Sequence, residues 1–329
     1  MAPLRIGVLG CADIARRRML PAMAAAEGVE IAAIASRDTD RARRLAQRYG
    51  ARAVHGYAAL LERDDVDAVY VPLPAELHAR WTEAALRAGK HVLAEKPLTT
   101  DPVTTAELLA LARASGLVLM ENVMFVHHPQ HETVRGWIAD GLIGEVRAFR
   151  AEFAIPRLPD RDIRHSAELG GGALLDTGVY PVRAALHFLG DELRVLNAAL
   201  HSTPGRSVDI AGAALLTAAG GVGVQLTFGI DHAYGSRYEV WGSEGRLTVD
   251  RAFTPPADHR PVVRLERRSG TEQRELEPAD QVLAAVRAFA AAVTSGVTSG
   301  ARPDAHVLRQ AELVADIQRL ARNTLSAVS

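Results

Sequence analysis

The chain of 329 residues is 48% hydrophobic and 23% charged, and its 38 basic residues balance 39 acidic ones. Such a composition is globular and long enough for about two domains, and the charge balance excludes a general field that would draw the chain to nucleic acid or an anionic membrane. The one cysteine, Cys11, excludes an internal disulfide and a cysteine-based metal cluster, and it fits a reducing compartment, so a cytoplasmic location is expected.

In chain order, short β-rich runs at Leu4–Gly10, Glu30–Arg37, Ala68–Leu73, His91–Glu95 and Val118–Glu121 alternate with helical patterns at Asp40–Tyr49, Leu77–Ala88 and Val103–Ala114. The alternation predicts a parallel sheet covered by helices, with the loops after the strands sharing one ligand-binding edge. The pattern of a signal peptide does not precede the first strand. After Met124 strand patterns dominate, at Glu145–Ile155, Arg194–His201, Ile210–Ala218, Val222–Ile230, Tyr238–Trp241 and Val262–Arg268. One helical segment, Gly172–Phe188, interrupts them, and helical patterns at Ala279–Thr294 and Ala305–Arg322 close the chain around a TSGVTSG connection. The apolar stretch Ile210–Ile230 is broken by Gly220-Gly221, Gln225 and threonines, which reads as a hairpin and not as a membrane span. The expected fold is α/β: a Rossmann dinucleotide-binding domain over residues 1–122, then an α+β domain over 123–329 with a large open, mostly antiparallel sheet. A sheet face left bare by helices is expected to be buried against another copy, giving a homo-oligomer, dimer or tetramer.

The turn after the first strand reads GVLGCADIA, from Gly7 to Ala15. A dinucleotide turn uses glycine for the bend, for close approach of the pyrophosphate and for helix–strand packing. Gly10 fills the first place, and Ala12 and Ala15 fill the other two. Alanine is tolerated where φ is negative and the gap slightly wider, and the helix N-terminus still offers N–H groups to phosphate. Gly10, Cys11, Ala12, Asp13 and Ile14 are therefore the expected phosphate-binding segment, the alternative being an ordinary strand–helix junction. Where an NAD site usually has an acidic residue, the second strand ends in Ser36-Arg37, a hydroxyl and a guanidinium suited to a 2′-phosphate. NADP(H) is expected over NAD(H), with Asp38 next door leaving room for NAD. Among His127, His128 and His131 no third ligand is evident and Pro129 disturbs the spacing, so no metal is expected. His128 and Asn122 are instead candidate pocket-lining residues.

Together with PLPAELH (Pro72–His78), GKHVLAEKPLT (Gly89–Thr99), GGGALLDTGVYPV (Gly170–Val182) and WGSEGRL (Trp241–Leu247), the turn makes the chain resemble the glucose–fructose oxidoreductase / inositol dehydrogenase (Gfo/Idh/MocA) superfamily nearly end to end. The resemblance implies that Lys96 of the Glu-Lys-Pro lies between nicotinamide and substrate, and that Leu73, Pro74, His78 and Glu95 help to hold the cofactor. Many members carry Asp-x-Gly-x-His-x-x-Asp, whereas here Asp176-Thr-Gly178-Val-Tyr180-Pro-Val-Arg183 has tyrosine for histidine and arginine at the last acidic place. With MENVMFVHHPQH (Met120–His131), the chain is most similar to sugar 3-ketoreductases of deoxysugar pathways. That implies NADPH-dependent reduction of the C3 ketone of a dTDP-3,4-diketo-2,6-dideoxyhexose to a dTDP-4-keto-2,6-dideoxyhexose. The alternatives are an NADP-dependent aldose (xylose-type) or trans-dihydrodiol dehydrogenase, which shares Lys96 and Tyr180, and a non-catalytic binding or regulatory protein of the same fold. On the first reading Lys96 or Tyr180 supplies the proton for the developing alkoxide. Asp176, four residues before Tyr180, is a positioning group for the substrate, and Arg164, in a Pro-interrupted loop, suits its diphosphate. The expected partner is a dTDP-hexose, with neither nucleic acid nor membrane.

Overall fold

A computed structural model describes residues 2–203, 205, 207–296 and 301–328, the side chains of 301–304 and 322–328 excepted. Six strands, β1 (Leu4–Leu9), β2 (Val29–Ser36), β3 (Arg52–His55), β4 (Ala68–Val71), β5 (His91–Glu95) and β6 (Leu119–Asn122), form a sheet in the order β3-β2-β1-β4-β5-β6, every pair parallel. Central strands of such a sheet are covered on both faces, so they read as apolar runs without alternation; all four residues of β4, AVYV, are buried. The order reverses between β1 and β4, and at a switch point of this kind the loops leaving the carboxyl ends part to form a crevice. The edge strand β3 had no sequence signal because its RAVH is short and mostly exposed. Of the covering helices, α1 (Leu20–Ala25), α2 (Thr39–Gln47), α3 (Tyr57–Leu61), α4 (His78–Arg87) and α5 (Pro102–Ala114), two are capped by aspartates: Asp38 accepts from the Asp40 and Arg41 amides, and Asp101 accepts from the Thr104 amide ahead of Pro102.

The remaining elements are α6 (Pro129–Ala139), β7 (Val146–Ala154), α7 (Val179–Leu189), β8 (Arg194–His201), β9 (Ala211–Thr217), β10 (Gly223–Gly229), β11 (Gly235–Gly242), β12 (Gly245–Asp250), β13 (Val262–Arg267), β14 (Gly270–Glu275), α8 (Gln281–Ser295) and α9 (Ala301–Val328). Their eight strands form a second sheet, β14-β13-β12-β11-β7-β10-β9-β8, in which β7 and β10 pair parallel and every other neighbour antiparallel. The stretch Ile210–Ile230 is the β9–β10 hairpin, and among the described residues no helix is long and apolar enough to cross a membrane.

The chain divides into two compact units, residues 1–124 with 282–307, and 125–281 with 308–329. The expectation that everything after residue 122 forms the second domain is thereby corrected. Val282, Ala285, Val286 and Phe289 recur at helical spacing on α8 and join the core of the first unit with Ile6, Met19, Met23 and Ile31. Spacing reveals that a helix face is apolar, not which surface it will cover. The TSGVTSG connection falls partly outside the described residues, which omit 297–300.

Several glycines fix how closely the backbone packs. At Gly242, where β11 slips register against β7, a Cβ would sit 2.0 Å from the Ile143 carbonyl oxygen, a backbone atom that cannot swing away. At Gly223 in β10 a Cβ would meet nothing within 4 Å. Gly242→Ala is therefore expected to cost about 2–4 kcal/mol in urea unfolding, and Gly223→Ala less than about 1 kcal/mol.

Candidate active site

In the first unit the turns after β1, β2 and β4 converge. Gly10 has φ of +120°, a conformation open to glycine, and donates its N–H to the Ala35 carbonyl at 2.9 Å. A Cβ on it would lie 3.2 Å from Leu73 Cδ2 and 3.7 Å from the Tyr57 hydroxyl. A helix opens at Asp13, where the Ala12 carbonyl accepts from the Arg16 amide at 3.0 Å, and the N–H groups ahead of Arg16 precede the intrahelical ladder. Ile14 anchors this start in the core, while Asp13 is exposed and paired with Arg16 at 2.9 Å. Ala12 is half-buried, so its methyl narrows the approach without closing it.

At the end of β2 the buried Ser36 accepts from the Asp38 amide at 3.1 Å, and the Asp38 carboxylate is occupied capping α2, an interaction that holds its pKa below the usual carboxylate value. Arg37 is exposed. Arg41, which carried no motif signal, donates from its guanidinium to the Cys11 carbonyl at 3.1 Å and so brings a second cation to the turn. Burial pushes the Cys11 thiol up, away from nucleophile chemistry. A glycine bend, an open helix start, a hydroxyl and two guanidiniums fit a dinucleotide carrying a 2′-phosphate.

The ends of β4, β5 and β6 carry a buried polar frame. Glu95 is 7% exposed, and its Oε1 accepts from the Tyr70 hydroxyl at 2.6 Å and from Asn122 Nδ2 at 2.7 Å. Asn122 has no exposed surface and touches Met19 Sδ at 3.4 Å; the expectation that it lines a substrate pocket is corrected, since its amide serves Glu95. His78 is likewise buried, with Nδ1 2.7 Å from the Pro97 carbonyl and Nε2 2.7 Å from the Leu73 carbonyl. Its ring thus faces protein backbone, not a cofactor. Pro74 opens the short helical turn that leads into α4. Lys96, half-buried, leaves the carboxyl end of β5, and two residues on the Leu98 amide donates to Glu121 Oε1 at 2.8 Å.

In the second unit a continuous helix over residues 173–189 carries Asp176 and Tyr180, with a π turn at Leu174–Gly178 ahead of α7. Tyr180 is 7% exposed, its ring centroid 4.7 Å from Phe153, 5.8 Å from Phe253 and 6.1 Å from Phe125. Arg164 Nε donates to Asp176 Oδ2 at 2.5 Å, and Asp162 Oδ1 lies 3.2 Å from its Nη1; these carboxylates, Asp176 first, hold the guanidinium charged. Arg164 is thus paired through Nε and Nη1, while its side chain remains 37% exposed. The glycines ahead of Ala173 allow close backbone packing. A Cβ on Gly171 would lie 2.5 Å from the Arg164 carbonyl oxygen, and one on Gly172 2.5 Å from Asp209 Oδ1. Asp209, absent from any motif, accepts the Leu174 amide at 2.7 Å and so fixes the start of the helix. His128 has no exposed surface, and its Nδ1 caps α6 by accepting from the Gln130 amide at 3.1 Å, so it too is removed from the substrate contacts. Among the described residues no group of His, Cys, Asp and Glu could hold a metal ion.

Comparison with known proteins matches residues 4–123 to the family model described as "Oxidoreductase family, NAD-binding Rossmann fold", and residues 131–248 to the "GFO/IDH/MocA C-terminal domain". A dTDP-3,4-didehydro-2,6-dideoxy-alpha-D-glucose 3-reductase from Actinomadura kijaniata is 56% identical over 321 residues, covering 98% of this chain and 96% of its own. The NADP-dependent D-xylose 1-dehydrogenase 2 of Haloferax volcanii is 38% identical, covering 90% of each chain. Among solved structures, a 3-ketoreductase from Actinomadura kijaniata in complex with NADP and TDP-benzene superposes with a TM-score of 0.94 at 55% identity, covering 97% of this chain and 98% of its own.

The buried histidines of the second unit set an acid limit on stability. Burial, and then Arg183, lowers the His127 pKa to about 4, burial and then His259 does the same for His128, and burial takes His131 well below the ordinary value. The unfolded chain takes up these protons near pH 6.5 and the folded chain only near pH 4, so the unfolded state binds more protons in that window and stability falls as the pH drops through it. The Tm is expected to fall by several degrees, about 3 °C or more, between pH 7 and pH 5, as read by calorimetry.

Proposed function

The chain belongs to the GFO/IDH/MocA family of oxidoreductases, and from that footing we propose that it is an NADPH-dependent sugar 3-ketoreductase. Its substrate is a dTDP-3,4-diketo-2,6-dideoxyhexose, reduced at C3 to a dTDP-4-keto-2,6-dideoxyhexose in deoxysugar biosynthesis. The carrying observation is the 56% identity to a dTDP-sugar 3-reductase along 98% of the chain. The cofactor assignment draws on Ser36, the exposed Arg37 and Arg41 beside the turn, with Asp38 committed to its helix cap and so withdrawn from a ribose hydroxyl.

When bound, NADPH supplies the hydride that C3 receives. Gly10, Ala12 and the helix opening at Asp13 hold its pyrophosphate. Lys96 donates a hydrogen bond from Nζ to the ketone oxygen and stabilises the charge that develops there. The proton comes from Lys96 or from Tyr180, whose phenol is set among Phe125, Phe153 and Phe253. Asp176, oriented by Arg164, positions the sugar. The similarity to a xylose dehydrogenase keeps a free aldose as the second reading. A soluble nucleotide sugar and NADPH place the reaction in the cytoplasm. The exposed face of the second sheet, with Trp241 between the guanidiniums of Arg150 and Arg246 and with Leu215 beside its polar rows, is proposed as the surface that pairs with another copy.

The test generates the diketo sugar enzymatically from a dTDP-hexose, adds the protein with NADPH and identifies the alcohol; protection against heat by dTDP separates this substrate from a free aldose, for which no such protection is expected. NADPH is expected to exceed NADH in kcat/KM, with Arg37→Ala narrowing the gap by about tenfold. Lys96→Met is expected to lower kcat by at least about a hundredfold while NADPH binding, followed by its fluorescence, persists.

A further inference from the structure

Lys96 has four rotatable side-chain bonds, so the placement of its ammonium depends on that of the backbone from which it springs. The segment after β5 runs Lys96-Pro97-Leu98, and two side chains from other parts of the unit hold it, both almost wholly buried. From α4, His78, 1% exposed, brings Nδ1 within 2.7 Å of the Pro97 carbonyl oxygen. From β6, Glu121, 6% exposed, accepts the Leu98 amide at 2.8 Å. The other nitrogen of His78 meets the Leu73 carbonyl at 2.7 Å, so the same ring also fixes the loop after β4, whose Leu73 packs against Gly10. An imidazole donates from one nitrogen when neutral and from both when protonated, so the neutral ring bonds one of the two carbonyls and packs against the other, and only the protonated ring bonds both. In either state the ring lies between the Leu73 and Pro97 carbonyls.

We propose that His78 and Glu121 are positioning residues for Lys96: they hold the two ends of one peptide unit, the Pro97 carbonyl and the Leu98 amide, one residue beyond Lys96, and so set Lys96 relative to the rest of the sheet edge. Neither side chain touches substrate or cofactor; both act through the backbone. The proposal rests on the assignment of Lys96 given above, and it adds two residues that no motif marks together. Losing either clamp frees a backbone group that water then enters to satisfy, and displaces the lysine by a fraction of an ångström to an ångström, a scale at which rates fall steeply.

Because Lys90 and Lys96 are the only lysines in the sequence, lysine labelled with ¹³C at Cε gives two resonances, assigned with Lys96→Met. His78→Ala and Glu121→Ala are expected to lower kcat by about tenfold or more, to leave the NADPH dissociation constant within about threefold, and to shift the Lys96 titration while that of Lys90 stays put. Glu121→Gln keeps an oxygen for the Leu98 amide and is expected to restore most of kcat and the native Lys96 titration, a rescue that a requirement for charge would not show. Should an alanine variant fail to fold, His78→Gln and Glu121→Leu, which fill the same space, are measured against the same criteria. Folded variants that keep kcat within about twofold with an unmoved Lys96 titration overturn the proposal, and so does a loss confined to NADPH affinity. If the wild-type protein reduces no dTDP-sugar yet the variants still move the Lys96 signal, the assignment of substrate falls and the clamp stands.

Discussion

A polar group taken out of water must find a partner inside the protein, at a penalty of about 1–3 kcal/mol when it does not. At the carboxyl edge of the first sheet this constraint governs nearly every loop. Glu95, Glu121, Asn122 and His78 are all less than a tenth exposed, and they find partners in one another, in Tyr70 and in the backbone of neighbouring turns, Asn122 Oδ1 alone among these four side chains being left without one. Each such contact removes a degree of freedom from a loop that would otherwise be mobile. The geometry at the ends of β4, β5 and β6 is thus set largely by pairing buried polar groups, and Lys96 springs from that frame.

The choice of cation follows the same logic. Of 38 basic residues only Lys90 and Lys96 are lysine, one at each end of the same short stretch. Lys90 directs Nζ to the Arg63 and Val66 carbonyls, both at 2.8 Å, a task for a compact ammonium and not for a planar guanidinium. In a chain that writes almost every other cation as arginine, a retained lysine marks a place where the shape of the charge matters. That scarcity is legible without a structure, and it singles out Lys96 independently of the Glu-Lys-Pro around it.

Much of the architecture is legible too, because a buried parallel strand and an amphipathic helix leave different spacings in the sequence. The β9–β10 hairpin and five of the six parallel strands follow from such spacing, as does the convergence of Gly10, Ser36 and Leu73, which strand order alone dictates. What spacing cannot show is the partner. The apolar face of α8 was visible while its destination in the first unit was not. Asn122 and His128 have the chemistry of pocket residues, yet one supports Glu95 and the other caps a helix. The space beside Gly171 and Gly172 is filled by the Arg164 carbonyl and Asp209, which the glycines alone do not announce. In each case the residue type was informative about what it can bond to, and only the fold decides which bond is made.

The second unit shows how such a decision narrows chemistry. Arg164 donates to Asp176 at 2.5 Å and is flanked by Asp162 as well. Asp176 Oδ2 is thus already engaged as an acceptor of the guanidinium N–H. A carboxylate accepts hydrogen bonds and donates none. On the function proposed above Asp176 is therefore suited to accept from a sugar hydroxyl and not to protonate an alkoxide, which leaves that step to Lys96 or Tyr180. Tyr180 sits among three phenylalanine rings, and its phenol is a hydrogen-bond donor. The helix thus carries an acceptor and a donor one turn apart, one in an ionic neighbourhood and one in an aromatic one, the pair that the proposed reduction uses.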